Sequence, residues 1–117
     1  MKNVLIVEDD ESTRILLARL VSGQGYKEYA VASCDEGLAI MDTTAIDFVI
    51  MDYFVPGTDP GSFVEKVKEK NPSSRVILTS RDPQVEKLSQ VLRVDGWLSK
   101  PIHPDELLQK LARFNIR

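Results

Sequence analysis

One cysteine and one histidine stand in 117 residues, and their scarcity closes off several chemistries. Cys34 alone cannot form an internal disulfide, and with His103 it cannot supply the four ligands of a structural zinc site. A lone thiol is compatible with a reducing compartment. A basic excess is also missing: 15 Lys and Arg stand against 18 Asp and Glu, a formal charge of −3. Non-specific nucleic-acid binding depends on neutralising phosphates with cations, so this chain is a poor candidate for it. No apolar run approaches the roughly 18 residues of a membrane span. Met1-Lys2-Asn3 leads directly into Val4-Leu5-Ile6-Val7 and then acid, which is too short for a signal peptide. Linkers, low-complexity tracts and solenoid repeats are absent from the sequence, as are P-loop and dinucleotide glycine patterns. The expectation is a cytoplasmic protein with neither nucleic acid nor membrane as a direct partner.

What is present is a folding composition, 43% hydrophobic and 28% charged. It predicts one domain over residues 1–117, burying roughly two thirds of the surface its unfolded chain would expose. Val4–Val7, Phe48–Met51 and Val76–Leu78 are almost wholly apolar, as strands covered on both faces are. Tyr29–Ala32 and Trp97-Leu98 are weaker strand candidates. Between them lie five helical patterns. The first runs from Ile15 to Val21 and stops at Gly23 and Gly25; the second holds Leu38, Ala39 and Met41. The third, Phe63 to Val67, ends by Asn71-Pro72; the fourth, Val85 to Leu92, follows Asp82-Pro83; the fifth, Leu107 to Leu111, is entered through Pro104. Strands alternating with helices predict an α/β fold with a doubly wound, five-stranded parallel sheet. The common strand order is 2-1-3-4-5, a flavodoxin-like (βα)5 three-layer sandwich, with the site outside the carboxyl ends of strands one and three.

The strand ends carry the chemistry. Strand one runs into Glu8-Asp9-Asp10-Glu11, strand three ends in Asp52, strand four in Thr79-Ser80, and strand five is followed by Lys100-Pro101. Each has an ordinary structural reading: acids suit a helix start, Asp10 as an N-cap, and Asp52 suits a turn. Lys100 reads equally well as a surface lysine. The combination says more. Two like charges about 4 Å apart repel by about 4 kcal/mol at an effective dielectric near 20. Convergence of Glu8, Asp9 and Asp52 would therefore oppose folding unless a hard, oxygen-seeking divalent cation joined them. A cation and Lys100 together suit a phosphoryl group, and Asp52 is the candidate nucleophile, since carboxylates form aspartyl phosphates.

On these residues the chain resembles the receiver domains of response regulators, the phosphorylatable modules of two-component signalling. Val4-Leu5-Ile6-Val7-Glu8-Asp9 resembles the family's first strand and acid pair. Asp47-Phe48-Val49-Ile50-Met51-Asp52, with Pro56-Gly57 beyond it, resembles the phosphoacceptor strand and loop. Asp95-Gly96-Trp97-Leu98-Ser99-Lys100-Pro101 resembles the last strand with its switch aromatic and Lys-Pro pair. The resemblance implies phosphorylation of Asp52 by a histidine kinase, a phosphotransfer protein or a small phosphodonor. It implies Mg²⁺ held by Glu8 or its water, Asp9, Asp52 and the backbone carbonyl of Phe54. Lys100 would pair with the phosphate, a strand-four hydroxyl would bind it, and Trp97 would turn inward. The face of helix four, strand five and helix five would then meet a protein target, or a second copy in a homodimer. Such a module catalyses its own phosphorylation and dephosphorylation, and is not an enzyme turning over a separate substrate.

The chain also departs from the pattern. Aligning Arg75-Val76-Ile77-Leu78 with the family strand puts the switch hydroxyl at Ser80, with Thr79 as the alternative. Phe54 and Arg81 are bulkier than is usual beside the hydrolytic water, which predicts a long-lived phosphoryl group. Trp97 exceeds the usual aromatic in size, and Pro60 stands where a glycine is common and would stiffen the loop. These changes keep open a pseudo-receiver, a phosphorylation-independent interaction or dimerisation module. A haloacid-dehalogenase-type phosphatase would want an acid at position 54, and a flavodoxin-like cofactor protein would not place Glu8–Glu11 against a phosphate. His103 and Cys34 receive no role, and a sequence that stops shortly after the fifth helix leaves open both a receiver that signals by docking alone and one cut from a longer regulator.

Overall fold

The computed structural model describes residues 1–115. Its elements are β1 (Asn3–Val7), α1 (Glu11–Gly23), β2 (Lys27–Val31), α2 (Cys34–Met41), β3 (Phe48–Asp52), α3 (Pro60–Lys70), β4 (Arg75–Ser80), α4 (Val85–Leu92), β5 (Gly96–Ser99) and α5 (Pro104–Asn115). The strands form one parallel sheet in the order β2-β1-β3-β4-β5, as expected. β1 and β3 are neighbours, with Val4 opposite Phe48 and Val7 opposite Met51. Strand order reverses beside them, so a crevice opens past their carboxyl ends.

Alternation along the strands divides the core into two layers. Val4, Ile6, Phe48, Ile50, Ile77 and Leu98 pack beneath α1 and α5, with Leu17, Val21, Leu107 and Leu111. Leu5, Val7, Val49, Met51, Val76 and Leu78 pack on the other face with Met41 of α2, Phe63 and Val67 of α3, and Val85 of α4. Cys34 lies in this second layer, and burial raises its thiol pKa, as does the neighbouring Asp35.

Helix starts follow capping chemistry. Asp10, Ser33 and Asp59 accept the backbone N–H of Thr13, Glu36 and Ser62, satisfying donors that a first turn leaves free. Asp10 is thus the N-cap its sequence position suggested. Two sequence readings need correction. β2 spans Lys27–Val31, not Tyr29–Ala32. It is an edge strand of half-exposed residues, so Lys27 and Glu28 belong to it despite their polarity. Pro60 opens α3, where a missing N–H and a fixed φ fit a helix start; it does not stiffen a loop.

Candidate functional site

Parity along the strands delivers the charged groups to one place. Glu8 continues the face of Val4 and Ile6, Asp52 that of Phe48 and Ile50, and Lys100 that of Leu98. All three reach the end of the sheet on the α1/α5 side. Glu8 is 1% and Asp52 8% exposed, the only carboxylates among the buried groups of the described residues. The ammonium of Lys100 lies 2.6 Å from Oε1 of Glu8 and 3.4 Å from Oδ1 of Asp52. It bridges strand ends that are 92 residues apart in the chain. The Lys100 N–H donates to the Ser80 carbonyl at 2.9 Å, and the following bond to Pro101 is cis.

Glu8 is held at every polar atom. Its N–H donates to the Val31 carbonyl at 3.0 Å, and its Oε2 accepts from the Asp10 N–H at 3.1 Å. Its carbonyl accepts from Nη1 of Arg14 at 2.9 Å. Burial pushes the Glu8 carboxyl above the ordinary carboxylate range, and the nearby Asp52 charge adds to this; bonds from Lys100 and the Asp10 amide oppose it. Asp10, fully exposed, lies below its ordinary value because the Thr13 hydroxyl and amide bond its carboxylate.

Asp9 is exposed, yet one oxygen of each carboxylate of Glu8, Asp9 and Asp52 lies within 4.8 Å of the others. These three, with Asp10, Phe54, Arg81 and Lys100, line a cavity of about 220 Å³. One ammonium among three clustered carboxylates leaves local negative charge uncompensated. The donor atoms are all oxygen, open to water on the Asp9 side, which suits a hard divalent cation of the Mg²⁺ type and does not suit zinc. The residues present therefore fit the ion that the resemblance implies. A larger groove of about 560 Å³ between α3 and α4 holds none of these groups.

The two hydroxyls of β4 separate cleanly. Thr79 is the register partner of Asp52, continues the face of Ile77, and donates to the Met51 carbonyl at 3.3 Å. Ser80 pairs with Ser99, continues the opposite face of Val76 and Leu78, and accepts from the Asp82 N–H at 3.0 Å. The geometry thus runs against the sequence preference for Ser80. Trp97 is half-buried at the sheet edge. Lys110 of α5 lies 5.6 Å from its ring centroid and donates to its carbonyl at 2.9 Å. His103 is exposed. Sequence reasoning missed Arg14, whose partners are backbone carbonyls and so leave no side-chain motif. Its one signal is a cation in the fourth position of a helix, where the helix dipole disfavours positive charge.

The response regulator receiver domain family matches residues 4–112. The chain is 27% identical over 109 residues to the regulatory protein VanR of Enterococcus faecium, covering 92% of this chain and 47% of that protein. It is 29% identical over 112 residues to the sensory transduction protein RegX3 of Mycobacterium tuberculosis, covering 95% of this chain and 49% of that protein. The chain thus spans about half the length of these curated relatives. Among solved structures, the chemotaxis response regulator CheY4 of Vibrio cholerae superposes with a TM-score of 0.88 at 27% identity, covering 97% of this chain and 98% of that one. Fold, strand-end chemistry and sequence agree, and the chain belongs to the response regulator receiver domain family.

Proposed function

We propose that this receiver domain is a phosphoacceptor of a two-component relay, taking a phosphoryl group from a histidine kinase or phosphotransfer protein onto Asp52. The observation that carries this reading is the Lys100 ammonium between buried Glu8 and Asp52, beside the exposed Asp9. A carboxylate oxygen of Asp52 attacks phosphorus, the bond from phosphorus to the donor's imidazole nitrogen breaks, and the imidazole leaves with the bonding electron pair. Glu8 or its water, Asp9, Asp52 and the Phe54 carbonyl would hold Mg²⁺, which when bound neutralises the phosphoryl oxygens. Lys100, 3.4 Å from Asp52, pairs with the new phosphate.

Thr79 is our choice for the hydroxyl that binds the phosphate, in place of Ser80, because it shares a face and a register position with Asp52. Its bond to the Met51 carbonyl, at 3.3 Å, is long enough to give up. The change is read at Trp97 and the face of α4, β5 and α5, where a protein target or a second copy docks. The chain then acts in the cytoplasm, and its chemistry is confined to its own phosphorylation and dephosphorylation.

The test is intact mass after incubation with Mg²⁺ and acetyl phosphate. One added phosphoryl group is expected, absent in Asp52→Asn and in EDTA. Thr79→Ala should impair the Trp97 fluorescence response to beryllofluoride, while Ser80→Ala keeps it. No mass gain, together with no Mg²⁺-dependent response to beryllofluoride, would leave a pseudo-receiver in place of the phosphoacceptor.

A further inference from the structure

The acid pair owes its position to a residue outside the cluster. Arg14, half-buried on α1, sends Nη1 back along the helix start to two consecutive carbonyls, Glu8 at 2.9 Å and Asp9 at 3.3 Å. Glu8 has other anchors in the Val31 carbonyl, the Asp10 amide and Lys100. The side chain of Asp9 makes no ion pair with any described cation, and the Arg14 contact restrains its backbone just before α1 begins. Position 14 is a costly place for this role. A guanidinium one turn into a helix opposes the helix dipole, and local rules broken in this way are characteristic of functional sites.

We propose that Arg14 is a positioning residue for the divalent cation: it fixes the Glu8–Asp9 backbone so that the Asp9 carboxylate stands within reach of Glu8 and Asp52. The inference rests on the phosphoacceptor reading for the identity of the ion. Two effects of Arg14 oppose each other. Its charge repels a cation, while its two hydrogen bonds remove freedom that Asp9 would otherwise lose on ligation. The bonds end on carbonyls and leave the carboxylate oxygens free for the ion, so positioning outweighs repulsion. Groups that orient ligands in this way typically change metal affinity by about 10- to 100-fold.

Arg14→Lys keeps the charge on a side chain one atom shorter, so its ammonium falls short of the place where Nη1 meets both carbonyls; Arg14→Gln removes the charge. Mg²⁺ is titrated calorimetrically into the full chain and its variants, with melts in EDTA to establish that each is folded. Both variants should raise the half-saturating Mg²⁺ concentration by about tenfold. The extent of phosphorylation by acetyl phosphate at saturating Mg²⁺ should return to that of the wild type, which a merely structural loss would not allow. Arg14→Lys, the milder change, decides the matter. Unchanged Mg²⁺ affinity in Arg14→Lys, or tighter binding in Arg14→Gln, overturns the inference alone. A wild-type chain that does not bind Mg²⁺ overturns the phosphoacceptor reading as well.

Discussion

Phe54 leaves 63% of its surface in solvent while its ring meets Tyr53 edge-on, with centroids 4.8 Å apart. It lines the acid cavity together with Arg81. Water that hydrolyses an aspartyl phosphate must approach phosphorus in line, and a ring and a guanidinium at the mouth of the cavity restrict that approach. Phe54→Asn should therefore shorten the phosphoryl lifetime roughly tenfold, about 1.4 kcal/mol in barrier, with a smaller effect from Arg81→Ala. Decay of the phosphorylated mass after donor removal measures it; wild-type loss within seconds would contradict the argument. The same residues show what was readable at the site. Glu8, Asp9, Asp52 and Lys100 could be named from sequence because each stands at or within two residues of the end of an apolar run, which fixes its place. Between Thr79 and Ser80 the sequence favoured Ser80 by strand alignment alone, because the register that sets Asp52 opposite Thr79 is visible only in the fold. Arg14 was hidden because carbonyls accept from any donor in reach.

At the scale of elements, the helical glycines Gly37 and Gly23 respond differently to the same substitution. A Cβ at Gly37 of α2 would sit 3.2 Å from Cγ2 of Val7 and 3.3 Å from Cδ2 of Leu5, both fully buried residues of β1. A Cβ at Gly23, the last residue of α1, meets nothing within 4 Å. Alanine gains up to about 1 kcal/mol over glycine in a helix, and overpacking a core costs about 1–3 kcal/mol. Gly37→Ala should therefore be destabilising by about 1 kcal/mol net, and Gly23→Ala stabilising by about 0.5 kcal/mol. Urea melts distinguish them, and a stabilised Gly37→Ala would show that α2 can lift off β1 freely. This close approach also explains which elements the sequence revealed. β1, β3 and β4 are covered on both faces, so their apolar runs are continuous and unambiguous. β2, at the edge, keeps polar residues and blurs its own boundaries.

Over the whole molecule, the buried side-chain polar atoms of the described residues all find hydrogen-bond partners, so the unresolved electrostatic cost sits at the acid rim. Lys100 compensates Glu8 and partly Asp52, and among the described residues nothing comparable compensates Asp9. Folding must assemble this excess, and the unfolded chain does not. A divalent cation bound only by the folded form stabilises it by RT ln(1 + [L]/Kd), about 2.7 kcal/mol at one hundred times Kd. For a domain of this size that corresponds to a rise in Tm of about 10 °C. The rise should appear between EDTA and saturating Mg²⁺, and Asp9→Asn should lose most of it without melting earlier than the wild type in EDTA. Screening alone would also help separated carboxylates, since the Debye length falls to roughly 8 Å at physiological ionic strength. NaCl at matched ionic strength separates the two effects. Groups within 4.8 Å of one another are closer than that length, so a specific ion should exceed the salt by most of the shift. Equal shifts in NaCl and MgCl₂ would mean that the three carboxylates do not act as one site.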